Sequence, residues 1–241
     1  MKRVCSHRGF EFEGETCPYH GLSIPPRKGC FLSEREPSAP FDEFTARRMD
    51  DRLGQCFASY KFQIECPFYL WMMNTADPNH LSSVHTPGFS KMFDDGELPY
   101  DVQISEDRLR SSYKIKVKKS VVDSYETRFP GLQDYFFHGL GFPGTSVTSF
   151  LGVFYSLESA IPLSKTTCQV TTDFWTSKLY KYPNALLAGA AEGNLRILGQ
   201  DRNICERWAK SFDPKRHLKN FLPGEERLRV YAEMIEERGM W

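Results

Sequence analysis

Cys5-Ser6-His7-Arg8-Gly9 and Cys17-Pro18-Tyr19-His20-Gly21 stand near the start of the chain, with nine residues between His7 and Cys17. Each stretch offers one thiolate and one imidazole on a tight loop able to wrap one end of a compact cofactor. Two Cys thiolates can hold one iron of a small iron–sulfur cluster while two His hold the other. Gly9 and Gly21 each follow a ligand His within two residues, where the backbone can approach closely and direct N–H groups at cluster sulfurs. Cys₂His₂ ligation at short spacings also suits tetrahedral zinc. The order Cys-x-His then Cys-x-x-His, rather than a Cys pair followed by a His pair, favours the cluster.

A second pattern, Asp77-Pro78-Asn79-His80 and then His85 after four more residues, suits a different iron. Two histidines and a carboxylate with open positions form the facial site of non-haem Fe(II). On one continuous helix His80 and His85 would lie about 140° apart, at roughly 100° per residue. They converge only if the helix ends or distorts between them, as Ser82-Ser83 would permit. Asp77 and His80, three apart, face the same side, and Pro78 suits a first helical turn capped by Asp77. The missing carboxylate is found in the predicted helix from Asn184, as its N-cap, to about Ser211. There Leu187, Ala191, Leu195, Leu198, Cys205 and Trp208 fall on one arc, and Asp201 falls on it too. A carboxylate turned to the core is costly unless a charge meets it. A metal ion would do so, and Arg202 is the bland alternative.

The rest of the sequence frames these sites. Residues 1–45 are loop-rich, with a minimal β-hairpin around Glu13-Gly14 carrying the two ligand pairs at its ends. A segment that short depends on a metal or disulfide as its staple. In residues 46–241 strands are expected at Ser59–Ile64, Tyr113–Lys118, Ser146–Leu157 and Thr166–Trp175, with a closing helix at Arg227–Arg238. The layout is α+β. Tyr135-Phe136-Phe137 and Phe142 fit a substrate pocket or plain core packing, and His138 reads as an ordinary polar residue. Lys+Arg and Asp+Glu balance at 31 each, which argues against a field that gathers nucleic acid or an anionic membrane. No apolar run reaches the roughly 18 residues that span a bilayer. Seven cysteines at irregular spacing, without an export signal, argue against a disulfide framework and for the cytoplasm. Cys30, Cys56, Cys66, Cys168 and Cys205 read as buried small apolar residues.

With both motifs in this order, the chain resembles the oxygenase (alpha) component of the Rieske non-haem iron oxygenases, with an abbreviated N-terminal module. The resemblance implies a small β Rieske-type [2Fe–2S] module at 1–45, followed at 46–241 by a helix-grip catalytic domain, a curved antiparallel sheet closed on a long helix. It implies that Cys5 and Cys17 hold one iron, His7 and His20 the other, and His80, His85 and Asp201 a mononuclear Fe(2+). Gln200-Asp201 with Ile204-Cys205-Glu206 looks like the family's late-helix ligand segment. Electrons would come from a separate reductase or ferredoxin, since no nicotinamide or flavin fingerprint is present. O₂ and a small organic, aromatic-type substrate would react at the iron. In a homotrimer, the cluster of one subunit would feed its neighbour's iron through Asp77. Two rival readings are an electron-transfer or catalytically degenerate Rieske protein, and a zinc-stapled small-molecule-binding protein.

Overall fold

The computed structural model describes residues 52–78, 80–81, 85, 91–93, 99–212, 221 and 225–240. Cys5, His7, Cys17 and His20, and with them the expected hairpin and the whole 1–45 module, lie outside the described residues. In the remainder, seven strands form one antiparallel sheet: β1 (Leu53–Ile64), β2 (Tyr100–Ile104), β3 (Arg110–Lys116), β4 (Tyr135–Gly141), β5 (Thr145–Phe150), β6 (Phe154–Pro162) and β7 (Cys168–Ser177). Strands β2 to β7 run as a meander, and β1 closes the order by pairing with β7, giving β1-β7-β6-β5-β4-β3-β2. Sheet and helices together make the expected α+β architecture.

The expected strand at Ser146–Leu157 is two strands. Phe150 pairs with Phe154 across a tight turn in which Leu151 and Gly152 both have positive φ. Glycine takes that conformation without a Cβ penalty. The Leu-Gly pair is the turn signal that continuous alternation on either side conceals. Strands β2 and β4 have no counterpart in the sequence expectation. Cys66, Cys168 and Cys205 are buried as expected, whereas Cys56 is exposed on the edge strand β1.

Period-2 alternation gives the sheet two faces. Val147, Tyr155, Leu157 and Trp175 build a small cluster on one of them. The opposite face carries the main core, together with helix α1 (Phe68–Ala76), the long helix α3 (Asn184–Ala209) and the closing helix α4 (Glu226–Glu237). A short helix α2 (Lys119–Glu126) precedes β4. Eight of the nine residues of α1 are buried, as befits a helix apolar on nearly all sides. Only Leu198, Asp201 and Cys205 are buried on α3. Leu195, expected on the same arc, is instead among the exposed large apolar residues. The helix begins one residue after Pro183, which takes the N-cap position expected of Asn184. It is clamped to the sheet edge by Tyr60, whose hydroxyl donates to the Ala191 carbonyl at 2.9 Å. The expected grip of a long helix on an antiparallel sheet is thus present, and it sets the buried turn of α3 opposite the end of α1.

Candidate metal centre and its cavity

The end of α1 positions the first imidazole. Asp77 is the C-cap of α1, its N–H bonding back to Met73 and Asn74 carbonyls. The chain leaves the helix there in an extended conformation, so Asp77 closes α1 and stands just before the next helical residues; the start of the helix expected after Pro78 includes Asn79, which lies outside the described residues. His80 and Leu81 are helical again, while His85 is not. The two histidines thus do not share one continuous helix, which removes the 140° obstacle. Their rings meet edge to face, with centroids 5.1 Å apart.

Each imidazole has one nitrogen already engaged. His80 Nδ1 donates to the backbone carbonyl of Asp77, and His85 Nδ1 to Gln200 Oε1 at 3.1 Å. Committing Nδ1–H to an acceptor makes the Nε2 lone pair the ligand atom. Both Nε2 atoms face Asp201 Oδ1, at 3.6 Å from His80 and 3.4 Å from His85. Asn74, on the buried face of α1, donates to that same oxygen at 2.9 Å. Arg202 turns away and bonds Glu206 at 3.0 Å, so the bland partner for Asp201 is otherwise occupied.

Burial governs the electrostatics. It pushes the Asp201 carboxyl up, against the pull of His80 and the Asn74 bond, and it pushes both imidazoles down. Three groups held away from charge in one buried corner are what a cation reverses. Two imidazole nitrogens and a carboxylate oxygen suit a metal ion chemically, and their 3.4 and 3.6 Å separations are close to what one requires. Metal–ligand bonds of about 2.1 Å, at angles near 90–110°, separate ligand atoms by roughly 3.0–3.4 Å. The three ligand atoms lie within 4.8 Å of one another, the only such group among the described residues.

A cavity of about 110 Å³ opens beside the triad. Phe136, Phe174, Ile197 and Leu198 supply apolar wall, and His138, Ser146, Thr148, Ser156, Glu158 and Thr172 a polar floor along the sheet. Glu158 accepts from Trp71 Nε1 at 2.9 Å, Ser146 Oγ at 3.4 Å and Thr172 Oγ1 at 3.1 Å. Burial raises it to about 7. Glu158 and Asn74 carry no signal in the sequence, and His138, expected to be an ordinary polar residue, is buried and lines the cavity. Strand alternation on Phe136 and His138 was the available signal. Phe136 lines the cavity, whereas Phe137 packs against the cluster on the opposite face and Phe142 joins the main core.

No protein-family model matches the sequence, and no curated protein matches it. Solved structures do match. A quaternary ammonium Rieske monooxygenase, from work on carnitine oxidation by gut microbiota, aligns with 97% of this chain and 77% of its own at TM-score 0.63 and 13% identity. Its fold is that of the Rieske oxygenases. Naphthalene 1,2-dioxygenase from Rhodococcus sp. aligns at TM-score 0.52 and 16% identity, over 86% of this chain and 67% of its own. The terminal oxygenase of carbazole 1,9a-dioxygenase from Nocardioides aromaticivorans aligns at TM-score 0.50 and 12% identity, over 76% and 58%. At such identities the likeness is one of fold.

Proposed function

We propose that this protein is the oxygenase component of a Rieske-type system. In this reading Cys5, His7, Cys17 and His20 hold a [2Fe–2S] cluster, and His80, His85 and Asp201 hold one Fe(2+). The bound iron would supply reductive activation of O₂, leading to hydroxylation, dihydroxylation or demethylation of a small organic substrate. The observation that carries the proposal is the convergence of two Nε2 atoms on one buried carboxylate, with both Nδ1 atoms already engaged. A two-histidine, one-carboxylate site with open positions is the signature of non-haem Fe(II) oxygenases.

The protein's own residues have separable tasks. The Asp77 carbonyl and Gln200 fix ring orientation, and Asn74 holds the Asp201 carboxylate. Phe136 and Phe174 exclude water from the cavity wall. Electrons would come from a separate reductase or ferredoxin. Asp77, half-buried at the end of α1, would stand on the path from a neighbouring subunit's cluster in a homotrimer. No helix among the described residues is long and apolar enough to cross a membrane. The cytoplasm is the compartment proposed. No nucleic-acid or membrane partner is invoked.

The test is reductant-dependent O₂ consumption by anaerobically purified protein, compared with Asp201→Ala. Consumption abolished by the substitution, with the cluster spectrum intact, supports the assignment. Equal consumption in both proteins refutes it.

A further inference from the structure

His138, on β4, is 1% exposed and lines the cavity beside the triad. Its Nδ1 lies 3.1 Å from Arg227 Nη2. A guanidinium has donors only, so Nδ1 must accept and carries no proton. Burial, the Arg227 charge and His80 together hold the ring's pKa well below its ordinary value. The ring is therefore neutral, and its single proton sits on Nε2. Tyr113 stacks on the ring at 5.4 Å and 15°. Arg227 is itself fixed by Ser111, through Oγ at 2.9 Å and the carbonyl at 3.2 Å, and lies 4.5 Å over the Tyr113 ring. Orientation and tautomer are both set before anything binds.

The Nε2–H thus held is buried and has no hydrogen-bond partner among the described residues. A buried donor left unpaired costs about 1–3 kcal/mol. It is not a fourth metal ligand, because the ring's lone pair is spent on Arg227. We propose that His138 Nε2–H is the substrate-recognition donor of this cavity, taking a carbonyl or carboxylate oxygen of the organic substrate. Thr148, paired with His138 across the sheet, is itself engaged with Ser156 and leaves the donor free. Phe136 and Phe174 offer the apolar body of such a molecule a wall. No carboxylate of the described residues pairs with buried Arg227, so its charge polarises the imidazole toward an electron-rich oxygen. The inference rests on the oxygenase reading for the word substrate, but the donor itself does not.

Acetophenone and α-methylstyrene test it, because they share a shape and differ by C=O against C=CH₂. Their affinities are measured by anaerobic calorimetry on iron- and cluster-loaded wild type, His138→Phe (His138→Met if the former does not fold) and His138→Gln. Comparing ratios cancels the different desolvation of the two probes. The ketone-to-alkene affinity ratio should fall about tenfold in His138→Phe or Met, equivalent to ~1.4 kcal/mol. It should recover in His138→Gln, whose amide can still donate. A ratio unchanged by removing the imidazole, or no saturable ketone binding in the wild type, overturns the proposal. Iron assayed on the same samples separates the two claims. Protein that takes up no iron on loading yet keeps the ratio effect would sink the oxygenase reading and leave the donor standing.

Discussion

Glu158→Gln should remove a specific pH dependence of stability. The wild-type carboxyl is lifted from 4.5 to about 7, chiefly by burial, although Trp71, Thr172 and Ser146 all donate to it. Between those two values the folded chain keeps a proton that the unfolded chain gives up. The folded pKa is the higher one, so the carboxyl's contribution is fully present below about pH 4.5 and is lost as pH rises through about 7. At ~1.4 kcal/mol per pH unit over that interval, the loss is about 3 kcal/mol. Gln imitates the protonated acid: its oxygen can accept from Trp71 and Ser146, and its amide can donate to Thr172. Urea unfolding at a series of pH values, followed by tryptophan fluorescence, gives the stability of each protein. Other titrating groups cancel in the difference. Wild type should lose about 3 kcal/mol relative to Glu158→Gln between about pH 4 and 8. Parallel stability curves across that range would refute the reasoning and mean that Glu158 is ionised throughout.

Two further substitutions probe the histidine supports. Gln200→Leu removes the acceptor that orients His85, so iron affinity should weaken roughly 10–100-fold while the fold persists; iron retention during dialysis against a chelator measures it, and unchanged retention contradicts the role. Asp77→Asn leaves the carbonyl that holds His80 untouched, so iron content should stay at the wild-type level. If Asp77 bridges subunits, single-turnover stopped-flow will show a cluster that reduces normally and reoxidises slowly, whereas wild-type reoxidation reduces it to a helix cap.

The site was legible in the sequence to the extent that it departs from local rules. Asp201 stood out because an acid on an apolar helical arc is costly, and the structure buries it with Leu198 and Cys205. The buried stripe is narrower than the apolar arc, since Leu195 is exposed. The three-residue spacing of Asp77 and His80 makes them neighbours, but the contact runs through the Asp77 backbone carbonyl, and no side-chain pattern announces a backbone contact. Gln200 and Asn74 act only through folding partners more than a hundred residues away, and no local pattern announces such contacts. Glu158 and His138 sit on strands, where one polar residue in an alternating run reads as solvent-facing. They face inward because helices cover that side of the sheet. The hairpin at Leu151-Gly152 is hidden in the sequence for a related reason: its flanking strands continue the same alternation.

The central claim is a mononuclear iron on His80, His85 and Asp201, distinct from the cluster. Iron, zinc and acid-labile sulfide per chain, measured on anaerobically purified wild type and Asp201→Ala side by side, test it most directly. Iron should exceed sulfide by one atom per chain in the wild type and equal it in the variant, with sulfide unchanged. Zinc in place of iron, or an excess of iron that survives Asp201→Ala, would contradict it.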